Sequence, residues 1–375
     1  MVQATTFYIA LGSNKGDKIQ NLQLAVNAIY AEVGNIKLIS KVYKSPAFGF
    51  EGDDFLNACL VLDSYLKPQE VLKTLLKIEK DLGRSRSEGT GYEARTIDLD
   101  VLFAGNEIIN TKTLKVPHPE IEKRRFVLLP LNDIGANIKH PKIGKTVSEL
   151  LDESEDKSVL EPIKIWLKNP RKSFNFSRYN YIAIEGNIGA GKTSLATMIS
   201  QDFNAKLILE RFADNPFLPK FYKDASRYAF PLEMSFLADR YQQISDDLSQ
   251  LDLFKDFIIS DYDVFKSLIF SKITLQEDEF KLYRKLFHLM YKDISKPELY
   301  IYLYQNTVRL QENIKNRGRD FEQDIEDSYL EKINSGYLSF LKSQPDFNVK
   351  IIDISDKDFV KCREDYLWLL NEICV

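Results

Sequence analysis

One stretch constrains this chain more than any other: Tyr181-Ile182-Ala183-Ile184-Glu185-Gly186-Asn187-Ile188-Gly189-Ala190-Gly191-Lys192-Thr193-Ser194. A β-branched apolar run ends in Gly-x-x-x-x-Gly-Lys-Thr. Apolar residues at helical spacing follow (Leu195, Ala196, Met198, Ile199). Strand, loop and helix in that order are what a phosphate-binding loop requires. Successive backbone N–H groups and the helix N-terminus make a concave anion site. Lys192 can reach the β- and γ-phosphates, and the Thr193 hydroxyl can ligate Mg²⁺.

The rest of the chain must accommodate that unit. Its 375 residues suggest two or three domains. Hydrophobic residues make up 44% and charged residues 28%, enough apolar material for two cores. Lys and Arg number 21 against 22 Asp and Glu over residues 1–160, and 30 against 33 over 161–375. Neither half is basic, which argues against a nucleic-acid polymer as partner. The three cysteines (Cys59, Cys362, Cys374) form no Cys-x-x-Cys, which fits a reducing cytosol, and three histidines make a His-rich zinc site improbable. Met1 leads straight into a strand-like Phe7–Leu11, without a signal-type leader or a membrane-length apolar run. The expectation is a cytoplasmic protein with no membrane partner.

In the first half, strand-like runs at 7–11, 36–43, 55–62 and 95–103 alternate with helical patterns beginning near Ile19 and at Pro68. The order β, α, β, β, α, β suggests a ferredoxin-like α+β domain. Its informative segment is Arg95-Thr96-Ile97-Asp98-Leu99-Asp100-Val101-Leu102-Phe103. Alternate strand residues share a face, so Asp98 and Asp100 point the same way. Paired carboxylates repel unless a cation lies between them, and Mg²⁺ carrying nucleotide phosphates answers that need. Spacing alone leaves open two acids on a solvated edge strand. Arg84, Arg86, Arg95, Lys123, Arg124 and Arg125 surround the segment and could hold a triphosphate. His118 lies in a Val-Pro-His-Pro turn, where a structural role is as natural as a functional one.

Taken together, Ile9-Ala10-Leu11-Gly12-Ser13-Asn14, Phe55-Leu56-Asn57-Ala58, Gly83-Arg84-Ser85-Arg86, Arg95-Thr96-Ile97-Asp98-Leu99-Asp100 and Val116-Pro117-His118-Pro119 resemble 6-hydroxymethyl-7,8-dihydropterin pyrophosphokinase. The resemblance covers residues 1 to about 160. It implies two Mg²⁺ ions on Asp98 and Asp100, and a pterin sandwiched by Phe55 and Phe126 with Asn57 on its edge. It implies ATP held by Glu79, Arg84, Arg86, Arg95, His118 and Arg124, with Arg84 and Arg95 closest to the chemistry. The family often has Tyr where Phe55 stands and Trp where Tyr92 stands; both changes keep an aromatic face.

Residues 161–178 lack periodicity and read as a connector, with Trp166 and nearby Phe residues able to pin it. Beyond it, strand-like runs at 205–211, 257–261, 298–303 and 350–354 alternate with long helical patterns. That is an α/β domain over 179–375, a parallel sheet flanked by helices. Glu210 and Asp261 fall at strand C-termini, where ligands of open parallel sheets bind. Each could equally be an ordinary acid at a strand end.

This half resembles the deoxynucleoside kinases, through the loop Glu185–Thr193, Glu210, Asn215-Pro216-Phe217, Tyr222, Glu233, Arg240 and the Arg317-Gly318-Arg319 lid with Glu322. The resemblance implies ATP on Gly186, Asn187, Ile188, Gly189, Ala190, Gly191, Lys192, Thr193 and Ser194, with Arg317 and Arg319 closing over it. It implies Glu210 as the base that takes the 5′-hydroxyl proton and Arg240 as the orienter of the transferring group. Tyr222 and Glu322 would hold the sugar 3′-hydroxyl, and one Mg²⁺ would be held by Thr193 and Asp261. It also suggests a homodimer through the kinase half. Two positions depart from the family: Asp261-Tyr262-Asp263 lacks the arginine many members carry there, and Glu233 replaces a base-reading Gln. A carboxylate accepts from an exocyclic amino group, which adenine, guanine and cytosine have and thymine lacks; the acidic version resembles the bacterial purine-type kinases, and that resemblance implies deoxyadenosine.

The expectation is therefore a bifunctional ATP-dependent phosphotransferase, joining pterin pyrophosphorylation to deoxynucleoside 5′-phosphorylation. The alternatives are a thymidylate-type monophosphate kinase in the second half, or a half that is regulatory and non-catalytic.

Overall fold

The computed structural model describes residues 4–47, 52–84, 94–211, 215–250, 252–292 and 294–375. It divides into two compact units, residues 1–174 and 175–375. The division lies inside the stretch read as a connector.

The first unit begins with β1 (Thr5–Ser13) and α1 (Lys18–Glu32), capped by the Asp17 carboxylate accepting from the Gln20 N–H at 3.0 Å. Then come β2 (Asn35–Ile39), β3 (Tyr43–Ser45), β4 (Phe55–Ser64) and α2 (Pro68–Asp81). The run expected as one strand over 36–43 is therefore two strands. Pro68 opens α2 where no N–H is missed, and the Glu70 carboxylate takes the Lys67 N–H at 2.8 Å. Val71, Leu75 and Ile78 form its buried stripe.

β5 (Asp98–Ala104) follows, then the short pair β6 (Ile109–Asn110) and β7 (Lys115–Val116), α3 (Arg125–Gly135), α4 (Val147–Glu153) and β8 (Glu161–Pro162). The antiparallel sheet runs β5-β1-β4-β3-β8, with β2 also on β4. Register sets Gly12 against both Asn57 and Asp98, and Ala10 against Asp100. The first part of the expected connector belongs to this unit. β8 pairs with β3, and Asn169 Nδ2 donates to the Ile36 carbonyl at 2.8 Å. Trp166, expected as a pin, is 66% exposed.

The second unit contains β9 (Tyr181–Gly186), α5 (Lys192–Asp202), β10 (Lys206–Ile208), α6 (Leu218–Phe221) and α7 (Ala225–Ser249). Next are β11 (Ile258–Ser260), α8 (Lys266–Thr274), α9 (Glu277–Tyr291), β12 (Leu299–Tyr304), α10 (Thr307–Arg317), α11 (Asp327–Lys342), β13 (Val349–Asp353) and α12 (Arg363–Cys374). The five strands are parallel in the order β10-β11-β9-β12-β13. Every residue of central β9 is buried, as expected where helices cover both faces. Strand order reverses around β9, so the crevice beyond its C-terminus is the topological switch point. Phe265, Tyr300, Phe340 and Phe347 form a cluster of ring contacts in the hydrophobic interior of this unit. No helix among the described residues is long and apolar enough to cross a membrane.

Candidate active sites

In the first unit a cavity of about 230 Å³ is lined by Gly12, Ser45, Pro46, Phe55, Asn57, Arg84, Arg95, Asp98, Asp100, His118, Arg124 and Phe126. Strands β5, β1, β4 and β3, the segments flanking α2 and β5, the loop before α3 and the first turn of α3 supply these groups. The floor is Gly12, where a Cβ would stand 3.3 Å from Asn57 Oδ1 and 3.7 Å from the Phe55 ring. Asn57 is oriented by donating to Ser45 Oγ at 2.8 Å.

The two aspartates share a face of β5, as alternation requires. Asp98 accepts from Arg84 and from Arg95, each at 2.7 Å. Asp100 lies 3.7 Å from Arg124 and 4.0 Å from His118 Nε2. Burial, then the neighbouring Asp98 charge, pushes the Asp100 carboxyl up to about 6. Such a pair fits Mg²⁺, which accepts one or two carboxylates and leaves positions for phosphate and water. His118 is driven down to about 4 by burial, then by Arg124, so it is neutral at pH 7. Its Nδ1 accepts the Glu120 N–H at 3.2 Å, which leaves the proton on Nε2, toward Asp100.

Arg95 is held at its backbone: its N–H donates to Asn14 Oδ1 at 2.7 Å, and its carbonyl accepts the Asn14 N–H at 3.1 Å. Glu79, expected to help hold ATP, is in contact with Arg84. It is buried, accepts the Leu99 N–H at 2.8 Å and pairs with Arg84. An anionic group so placed orients the arginine. Arg86 and Tyr92 lie outside the described residues.

In the second unit the loop from Gly186 to Thr193 turns through Gly189 and Gly191 at φ of 82° and 83°, a region that favours glycine. Lys192 Nζ donates to the Gly186 and Asn187 carbonyls at 3.0 and 2.8 Å. Burial, then Lys266, lowers its ammonium to about 8. Thr193 Oγ1 donates to Asp261 Oδ2, and Asp261 Oδ1 accepts the Glu210 N–H at 2.7 Å. A hydroxyl and a buried carboxylate in contact fit a Mg²⁺ ion held beside the phosphates.

Glu210 lies just beyond β10. Its Oε1 takes both Nε and Nη2 of Arg240 at 2.7 Å, and its Oε2 takes Lys266 Nζ at 2.7 Å. Burial would raise this carboxyl, but Lys266 and Arg240 outweigh it and hold it well below the usual carboxylate range. Lys266 was not anticipated. The only sequence cue is a lysine five residues past an acid-ended strand, and its partner lies 56 positions away. It brings a cation to Glu210 where the Asp261-Tyr262-Asp263 run lacks one.

Asp263 is buried and accepts from Tyr291 OH at 3.0 Å, while its N–H reaches Glu185 Oε1 at 2.6 Å. It fixes the β11–α8 turn. Glu233 is buried, accepts from Thr274 Oγ1 at 3.0 Å, and leaves Oε2 without a hydrogen-bond partner among the described residues. Burial, opposed by Arg240, pushes its carboxyl up to about 7. Tyr222 has its phenol raised by burial and then by Glu322. Glu322 pairs with both Arg317 and Arg319, so the expected lid arginines and sugar-binding acid come together. Gly318 separates them at φ 68° and ends α10.

A family profile described as 7,8-dihydro-6-hydroxymethylpterin-pyrophosphokinase matches residues 8–136, and one described as deoxynucleoside kinase matches residues 182–374. Deoxyguanosine kinase of Bacillus subtilis is 41% identical over 50% of this chain and 92% of its own length. The 2-amino-4-hydroxy-6-hydroxymethyldihydropteridine pyrophosphokinase of Aquifex aeolicus is 43% identical over 40% of this chain and 92% of its own. A solved deoxyadenosine kinase from M. mycoides with bound dATP aligns with a TM-score of 0.46 at 25% identity, over 52% of this chain and 98% of that one. The chain thus belongs to two families at once, the pterin pyrophosphokinases through its first unit and the deoxynucleoside kinases through its second.

Proposed function

We propose that the first unit transfers pyrophosphate from ATP to 6-hydroxymethyl-7,8-dihydropterin, releasing AMP, and that the second phosphorylates the 5′-hydroxyl of a purine deoxynucleoside. The observation that carries the first reading is the Asp98/Asp100 pair on one cavity wall, ringed by Arg84, Arg95, Arg124 and neutral His118. The antiparallel order β5-β1-β4, with α1 and α2 set between β1, the β2–β4 strands and β5, supports a ferredoxin-like description of this unit.

Phe55, Phe126 and Asn57 would hold the flat pterin ring, and the arginines would receive the phosphates. Bound Mg²⁺ would neutralise phosphate charge at Asp98 and Asp100. The pterin hydroxymethyl oxygen attacks the β-phosphorus and AMP leaves. Positioning and charge neutralisation carry such a transfer without a covalent intermediate.

For the second unit the carrying observation is the chain of contacts Thr193–Asp261–Glu210–Arg240 at the switch point. Glu210 would take the hydroxyl proton and Arg240 would orient the transferring group. Thr193 and Asp261 would hold Mg²⁺. Tyr222 and Glu322 would bind the sugar, and Arg317 and Arg319 would leave Glu322 for the phosphates as the lid closes.

Base choice turns on Glu233. Its ionised form offers two acceptors, which match the N1–H and N2–H₂ donors of guanine. Its protonated form offers one donor and one acceptor, which match adenine. Both deoxyadenosine, expected from the sequence, and deoxyguanosine, named for the Bacillus relative, are then substrates. The charged groups acting on this carboxyl are Arg240 and Lys266, which lower it, and Glu210, which raises it. Proton occupancy of a carboxyl near its midpoint changes the ratio of the two forms about tenfold per pH unit. The kcat/KM ratio of deoxyguanosine to deoxyadenosine is therefore expected to rise by about that factor per unit through about 7. Glu233→Gln should flatten the profile and favour deoxyadenosine. A ratio independent of pH in the native protein would remove Glu233 from base selection.

The broader experiment is ATP-dependent phosphorylation of the four natural deoxynucleosides and of the pterin by the whole chain, with Lys192→Ala as control. Nucleoside activity should vanish in the variant while pterin activity stays. Activity on monophosphates alone would return the thymidylate-type reading.

A further inference from the structure

Lys266 is the first residue of α8 and is 7% exposed. A lysine ammonium carries three donors and, buried, is rarely kept without an anion. Among the described residues its one hydrogen bond is to Glu210 Oε2 at 2.7 Å. Its Nζ lies 5.4 Å from the Phe270 ring centroid, and its charge acts on Glu185 and Lys192 of the phosphate-loop region.

Glu210 is already neutralised by Arg240. That arginine is anchored three ways: two nitrogens on Glu210 Oε1, Nη1 on Ser267 Oγ at 2.8 Å, and its guanidinium over the Phe236 ring at 4.7 Å. Two buried cations thus share one carboxylate, and the less anchored of them keeps two donors unspent. The same carboxylate is joined to the phosphate loop through Asp261 and Thr193. Within this contiguous set the cations Arg240 and Lys266 face the carboxylates Glu210 and Asp261, and the donors that Lys266 keeps unspent suit a further anionic group. The phosphoryl group passing between ATP and the deoxynucleoside is such a group.

We propose that Lys266 is a further catalytic residue of the kinase site, donating hydrogen bonds to the oxygens of the phosphoryl group as it is transferred. The assignment rests on reading residues 186–193 as the ATP phosphate loop. In the step, the nucleoside O5′–phosphorus bond forms and the bond from the γ-phosphorus to ADP breaks. The hydroxyl proton goes to Glu210, and Lys266 keeps its own protons throughout. Its ammonium offsets charge that is greatest in transfer, so it lowers the barrier more than it strengthens substrate binding.

The test uses the whole chain with Mg²⁺, ATP and either deoxyguanosine or deoxyadenosine, comparing Lys266→Ala, Lys266→Met and Lys266→Arg. In the neutral variants kcat is expected to fall ~10²–10³-fold, the cost of removing one preorganised donor. The deoxynucleoside KM should stay within about threefold, the split that marks an interaction made in the transition state. Lys266→Arg should recover part of the loss.

Binding of ADP with aluminium fluoride and deoxyguanosine, a mimic of the group in transfer, should weaken in Lys266→Met by a factor similar to the kcat loss. Binding of ADP alone should not. Lys266→Met matches the length and apolar stem of lysine, so it decides the question if Lys266→Ala fails to fold. A Lys266→Met kcat within about threefold of native would overturn the proposal, as would a loss confined to KM. So would unchanged binding of the mimic beside a lowered kcat, because that would leave Lys266 only positioning Glu210. A native chain inactive on every deoxynucleoside would instead overturn the phosphate-loop reading beneath it.

Discussion

Glu210→Gln is expected to cut deoxynucleoside phosphorylation by ~10²–10⁴-fold, the range for removing a positioned general base. The amide keeps the volume but cannot take the hydroxyl proton. It also removes the anion shared by Arg240 and Lys266, whose side chains are only 5% and 9% exposed. Removing one partner from a buried ion pair costs about 3–5 kcal/mol, because the other charge stays desolvated. A lower melting temperature of the second unit should therefore accompany the kinetic loss. Pterin pyrophosphorylation should be unchanged, since its cavity is lined only by residues of the first unit. Steady-state assays with both substrates, beside a melting curve, check this. Nucleoside activity within tenfold of native would show that another group takes the proton.

Asp98→Asn is expected to cut pyrophosphoryl transfer to the pterin by ~10²–10³-fold, with deoxynucleoside phosphorylation intact. Asp98 is the common acceptor of Arg84 and Arg95 and half of the carboxylate pair. The substitution removes a proposed Mg²⁺ ligand and replaces the ion pairs of Asp98 with Arg84 and Arg95 by a neutral amide contact. AMP release as a function of Mg²⁺ concentration measures it. Recovery of most of the rate at high Mg²⁺ would assign the loss to metal affinity. A native rate at ordinary Mg²⁺ would remove Asp98 from the site. Together the two variants should separate the activities, each losing one and keeping the other.

Much of both sites is readable along the chain because their chemistry is local. The phosphate loop needs a strand, three glycines and a helix start within a few residues, and β9, the loop and α5 follow that plan. Asp98 and Asp100 share a face because strand side chains alternate. Strand extents were less readable. The run over 205–211 folds as only Lys206–Ile208, which leaves Glu210 outside the ladder and free to turn toward Arg240. The expected strand at 36–43 breaks in two, since β2 and β3 both pair with β4 at different points. Pairing partners far along the chain decide such ends, and no local pattern encodes them.

Sequence alone determined the two chemistries, the groups that carry charge, and the order of elements that bears them. Those properties depend on residue type at short spacing, which folding does not alter. Tertiary structure decided which charges meet. Glu79 met Arg84, because α2 packs it beside the Leu99 N–H. The cation missing after the third kinase strand arrived as Lys266 from the start of the next helix. Glu233 acquired a carboxyl that titrates near neutrality because the core around it excludes water. Burial and long-range contact set these outcomes: both change the free energy of a charge by more than its own identity does, and neither can be read before the chain closes on itself.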